Sequence, residues 1–305
     1  MMKKQELKGV LPVFQMPYDD RENIDFSILE KEIDWLYENE CGGIVFALAS
    51  EILRLTEIER KKVVEKICKF NNDRGCVIVS VGGESTFQAI DFSKHAQDSG
   101  ADAVMAIPPI SNSCPEEQVK RYYEDILSSI QIPLVVQDAS GYLGNSMSIE
   151  LQSNLFIDFP ERILFKPESN PIGPRLSELR DATNGNAPIF EGSGGISLVD
   201  SFKRGIKGTM PGSDLIDIIV ALWKALQEGN NSRIYNISFP LSSFISILTS
   251  LDAFLTIEKY ILVKRGIFKN NIVRKPCNYK LDPETISEVD LIFSKLIEAL
   301  DSDDE

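Results

Sequence analysis

Lys166 stands alone among residues that otherwise belong in a core. In "RILFKPE", 162–168, the apolar Ile163, Leu164 and Phe165 precede the amine, a proline follows it, and Glu168 lies two positions on. An extended chain alternates its side chains, so Leu164, Lys166 and Glu168 share one face. If that face is interior, the amine is partly desolvated. Burial lowers a lysine pKa, and a neutral amine adds to a carbonyl to give a Schiff base. Glu168 opposes this before reaction, because a carboxylate favours the ammonium, and favours the iminium after it. The competing reading is a structural Lys166–Glu168 ion pair, or a lysine whose stem lies along the strand while its head reaches water.

A lone lysine does chemistry only if elements hold it in place. Period-2 and continuous apolar runs alternate with period-3.6 runs along the chain. Strands are expected at 9–17, 42–50, 76–83, 101–109, 133–139, 163–168, 188–195 and 207–214, each followed by a helical pattern. Most of these strands are apolar on both faces, as in a parallel sheet covered by helices. Eight βα units in about 230 residues are the size of a (β/α)8 TIM barrel, so the expected class is α/β. A doubly wound open sheet is the runner-up, but no GxGxxG opens the first helix. Beyond the barrel, 1–230, residues 231–305 read as a helical extension packed on it.

In such a barrel the chemistry sits where strands end at the C-terminal face. The polar residues expected there are Ser50 and Glu51, Gln137 and Asp138, Lys166 and Glu168, Glu191 and Ser193, and Asp214. Alternation turns Gln137 inward and Asp138 outward. The glycine-rich "EGSGG", 191–195, reads as a tight turn that leaves backbone room beside the amine. The single histidine, His95, falls on an outer helix, so zinc catalysis has almost no support.

Composition narrows the partners. The chain has 305 residues, 26% of them charged, with a net charge of −14. That balance argues against nucleic acid, which needs clustered Lys and Arg. Five cysteines without a CxxC pair read as reduced thiols in a cytoplasm. The N-terminus lacks the apolar core of a signal peptide, and no run approaches a membrane span.

Six segments, in order and spacing, resemble the family of dihydrodipicolinate synthase and N-acetylneuraminate lyase. They are "GVLPVFQMPY", "IDFSILEKEIDWLYENECGGIVF", "SEILRLTEIERKKVVE", "GADAVMAIPP", "IPLVVQDASG" and "ILFKPES". The resemblance implies a (β/α)8 barrel with a three-helix C-terminal extension. It implies an imine between Lys166 and pyruvate or another 2-oxo acid, no cofactor, and a homo-oligomer, dimer or tetramer. The departures are equally specific. The family's GTTGE, which holds the keto acid's carboxylate, reads "ALASE" here, so Leu48, Ala49 and Ser50 take its place. The family's YNxP reads "QDAS", which puts Gln137, no acid or base near neutral pH, in place of the proton-carrying tyrosine. Ile110 and Ser111 stand where a second tyrosine is expected, and Tyr142 where the synthases carry an arginine.

Three readings follow. In the first, Lys166 forms the imine, the proton shuttle is rebuilt from Glu168, Tyr142, a water held by Gln137 or, less favourably because it turns outward, Asp138, and Leu48, Ala49, Ser50, Gly192 and Ser193 surround the substrate. This is an aldolase- or dehydratase-type lyase without a metal. In the second, Glu51, Asp138, Glu168 and Glu191 hold Mg²⁺ and Lys166 is a general base. In the third, a degenerate barrel binds a small molecule without turnover.

Overall fold

Helices begin where a side chain accepts from the otherwise unpaired N–H groups of a first turn. Asp25 accepts from Ser27 and Ile28 at the start of α1, Phe26–Glu38. Thr56 and Glu59 form a capping box at the start of α2, Glu57–Asn71. Ser85, Ser148, Asn230, Ser250 and Asp282 cap α3 (Thr86–Asp98), α5 (Ile149–Asp158), α9 (Asn231–Ser246), α10 (Leu251–Lys264) and α11 (Pro283–Asp301). The remaining helices are α4 (Glu116–Ser129), α6 (Ile172–Ala182), α7 (Leu198–Lys203) and α8 (Ile216–Glu228). The computed structural model describes residues 6–111, 113–141 and 144–302.

The strands are β1 (Gly9–Val10), β2 (Gly43–Phe46), β3 (Cys76–Ser80), β4 (Ala103–Ala106), β5 (Leu134–Asp138), β6 (Ile163–Pro167), β7 (Phe190–Glu191) and β8 (Gly208–Thr209). All pairings between them are parallel. Five strands run in the order β2-β3-β4-β5-β6 and three in the order β1-β8-β7. Parallel bridges Val13–Val45 and Phe165–Ile189 join the two sets and close the ring. The molecule is thus an α/β protein of (β/α)8 type, with α9, α10 and α11 following the last barrel helix.

Alternation sorts the core into two layers. Val45, Ile78, Met105, Val135, Leu164 and Phe190 pack with one another inside the ring. Their neighbours Phe46, Val79, Val104, Val136 and Phe165 pack outward among the helices. Each such fully buried side chain is worth about 1.5–3 kcal/mol against exposure.

Every expected strand forms a shorter ladder than the sequence suggests, and for the first two the reason is local. The first forms a ladder only over Gly9–Val10, because Pro12 has no N–H to give. The second stops at Phe46 instead of running to 50. Leu48–Ser50 is a 3₁₀ turn, closed by Ser50 N–H donating to the Ala47 carbonyl at 2.9 Å. Local bonds there outcompete the ladder.

Candidate active site

Lys166 ends the inner face of β6. The residue before a proline is restricted to extended conformations, so Pro167 helps hold Lys166 in line with Leu164. Gln137 of β5 lies beside it in register, and in a parallel pair both side chains point inward. Lys166 is 4% exposed and Glu168 5%. Lys166 Nζ is 3.2 Å from Glu168 Oε1, and Gln137 Nε2 donates to Glu168 Oε2 at 2.5 Å. Burial pushes the Glu168 carboxyl up from the usual carboxylate range, while Lys166 and the Gln137 amide pull the other way. Gln137 Oε1 is buried and finds no donor among the described residues.

These three polar side chains form one wall of a cavity of about 50 Å³. The rest is apolar: Val13 and Ala47 from the ring, Leu48 and Ala49 from the 3₁₀ turn, Met210 and Pro211 beyond β8. Leu251 and Phe254, from the first turn of α10, complete it. Gly192 belongs beside the amine for a steric reason. A Cβ there would stand 2.5 Å from Lys166 Cε and 2.7 Å from Glu168 Oε1.

The structure brings some of the expected site residues together and sets others aside. Lys166, Gln137, Glu168, Leu48, Ala49 and Gly192 line one cavity. Ser50 is fully buried behind it, its hydroxyl donating to the Phe14 carbonyl at 2.5 Å. The Ser193 hydroxyl accepts from Ser197 N–H at 3.0 Å, and neither serine lines the cavity. Tyr142 lies outside the described residues. Among those described, no tyrosine lines the cavity. Leu251 and Phe254 could not be read from any local pattern, because they reach the site from a helix far along the chain.

The carboxylates of the Mg²⁺ reading are engaged elsewhere. Asp138 points away from the cavity and accepts from Met147 N–H at 3.1 Å and Ser140 N–H at 3.2 Å. Glu191 accepts from the Thr209 hydroxyl at 2.7 Å. Glu51 pairs with the fully buried Lys259 and accepts from Arg274 N–H at 2.9 Å. Only Glu168 reaches the cavity, and among the described residues no group of three His, Cys, Asp or Glu side chains is placed to hold a metal. In the second of the three readings, then, the four carboxylates serve separate partners and do not face a common point.

A closed parallel barrel with one buried amine at the mouth of its sixth strand defines a lysine-centred (β/α)8 protein. The sequence model of the dihydrodipicolinate synthetase family matches residues 6–294, and the chain belongs to that family. It is 35% identical over 179 residues to the 4-hydroxy-tetrahydrodipicolinate synthase of Methanococcus vannielii, a match spanning 58% of this chain and 61% of that protein. It is 25% identical to an uncharacterized DapA-like lyase of Pyrococcus horikoshii, across 92% of this chain and 97% of the other. The crystal structure of dihydrodipicolinate synthase from Rhodopseudomonas palustris superposes with a TM-score of 0.87 at 25% identity, covering 95% and 98% of the two chains. YagE, a prophage protein of E. coli K12 solved in complex with pyruvate, shares the fold at a TM-score of 0.86 and 20% identity, over 94% and 98%.

Proposed function

We propose that this protein is a Schiff-base-forming lyase of aldolase or dehydratase type, acting on pyruvate or a longer 2-oxo acid through Lys166. One observation carries the reading: among the described residues, the only cationic side chain lining the cavity is an amine buried against a carboxyl group that burial has made more basic.

The chemistry follows from that pair. In a site shielded from water, an ammonium and a carboxylate 3.2 Å apart can neutralise each other by moving one proton from nitrogen to oxygen. Neutral Lys166 then adds to the keto carbon, and its nitrogen gives a proton to the former carbonyl oxygen. Glu168 donates its proton to the resulting hydroxyl, which leaves as water. The C–N bond becomes the C=N bond of an iminium that keeps one hydrogen, and Glu168, again a carboxylate, stays beside it. The iminium is the electron sink for the next step, so no cofactor is required by this route. Gln137 holds Glu168 in position, and its unpartnered carbonyl oxygen suits the departing hydroxyl or water. Leu48 and Ala49 offer the substrate's own carboxylate backbone N–H groups rather than side chains. Tyr142 remains a candidate for recognition. Ser50 and Ser193 keep only positioning roles here, because their hydroxyls are already bonded.

The pyruvate bound by YagE favours the same ligand class. A homo-oligomer, dimer or tetramer, is proposed with it on the strength of the family match.

The test is exchange of the pyruvate methyl protons for deuterium in heavy water, followed by NMR. An imine that tautomerises to an enamine exchanges them. Lys166→Ala should abolish the exchange. A wild-type protein that binds pyruvate without exchanging it would instead be the degenerate binder.

A further inference from the structure

The cavity is chemically one-sided. Its polar side chains are confined to the β5–β6 wall, where Lys166 is engaged by the reaction and Glu168 repels a second anion, and the backbone N–H groups of Leu48 and Ala49 are taken by the carboxylate next to the keto carbon. The opposite walls are Val13, Leu48, Met210, Pro211, Leu251 and Phe254. No guanidinium, imidazole or second ammonium lines the cavity among the described residues. The cations on the α10 side are committed: Arg54 pairs with Asp252 and Glu51, and Arg274 with Glu59 at 2.8 Å. A carboxylate or phosphate at the far end of a substrate would be desolvated there without a partner. An alkyl chain would gain.

We infer that the substrate carries no charge beyond its 2-oxo acid group and that its chain, past the hydroxyl on which an aldolase or dehydratase step acts, ends in an apolar part selected by Leu251 and Phe254 of the C-terminal extension. This rests on the imine reading and adds a substrate class to it. The helix that follows the barrel thus supplies specificity for chemistry performed by a strand. Phe254 is positioned for this by the glycine loop after β7, where its ring lies 3.1 Å from the place a Cβ on Gly194 would occupy.

The experiment is borohydride trapping at graded concentrations of pyruvate, 2-oxobutanoate, 2-oxopentanoate and 2-oxoglutarate, read by intact mass. The last two share a five-carbon chain and differ in the terminal carboxylate. The half-saturating concentration should fall about fourfold per buried methylene, and 2-oxoglutarate should require at least ten times more than 2-oxopentanoate. Leu251→Arg should close or reverse that gap. Pyruvate adducts with 2-oxoglutarate trapped as readily as 2-oxopentanoate would overturn the apolar assignment alone. No adduct with any acid would overturn the imine reading and this inference together.

Discussion

Gly192 does for the amine what no other residue could. The loop after β7 passes so close to Lys166 Cε and Glu168 Oε1 that one added methyl group would overlap both. Gly192→Ala should leave the barrel folded, with an unchanged far-ultraviolet spectrum, but cut pyruvate-dependent deuterium exchange by at least tenfold; near-native exchange would mean that the amine does not work in the position described. At this scale much was legible in the sequence. Alternation from Leu164 through Lys166 to Glu168 and the inward turn of Gln137 follow from strand geometry alone. The serines misled because a hydroxyl's partner depends on tertiary approach: Ser50 faces Phe14 across a gap of 36 residues, which no local pattern encodes.

Among the elements, α10 ties the helical extension to the barrel mouth. Lys259 is fully buried, pairs with Glu51 just after the Leu48–Ser50 turn, donates to the Ile272 carbonyl at 2.7 Å, and lies 4.5 Å from the centre of the Tyr18 ring. Removing one partner of such a pair leaves an uncompensated buried charge, which costs about 3–5 kcal/mol. Lys259→Ala should therefore lower stability by that order in denaturant titration, and the double substitution Glu51→Ala with Lys259→Ala by much less than twice as much. Additive losses would show that the pair is not coupled. The order and kind of elements could be read from periodicity and capping residues. The early end of the second strand could not, because it is set by a turn that competes with the ladder over the same few residues.

For the whole molecule, the notable charge lies beneath the β8 rim. Glu32, Asp214 and Glu258 are all buried and face one another, with Lys259 and Arg265 the cations acting on Glu32 and Asp214. Gln15 N–H and the Ser213 hydroxyl donate to Glu32 Oε1 at 2.9 and 2.7 Å, and Gln15 Nε2 donates to Glu258. Burial pushes Glu32 up to about 8 and Asp214 up to about 7, and raises Glu258 well above its ordinary value. Carboxyls raised in the folded state bind more protons than they do unfolded, so their contribution is complete in acid and is lost as pH rises through the folded values. The melting temperature should fall between about pH 5 and pH 8, and Glu32→Gln should flatten that decline. A melting temperature that rises over the same interval would contradict this account. The barrel itself was foreseeable from eight repeated units; this cluster was not, since its members lie apart in sequence and none breaks a local pattern.

The central claim is that the charge ending β6 is a covalent hook. It is tested most directly by reducing the protein with borohydride in the presence of pyruvate and mapping the modified peptide. The account predicts a single adduct on Lys166, absent from Lys166→Ala and from samples lacking the keto acid. Modification spread over surface lysines, or none on Lys166 at saturating pyruvate, would contradict it.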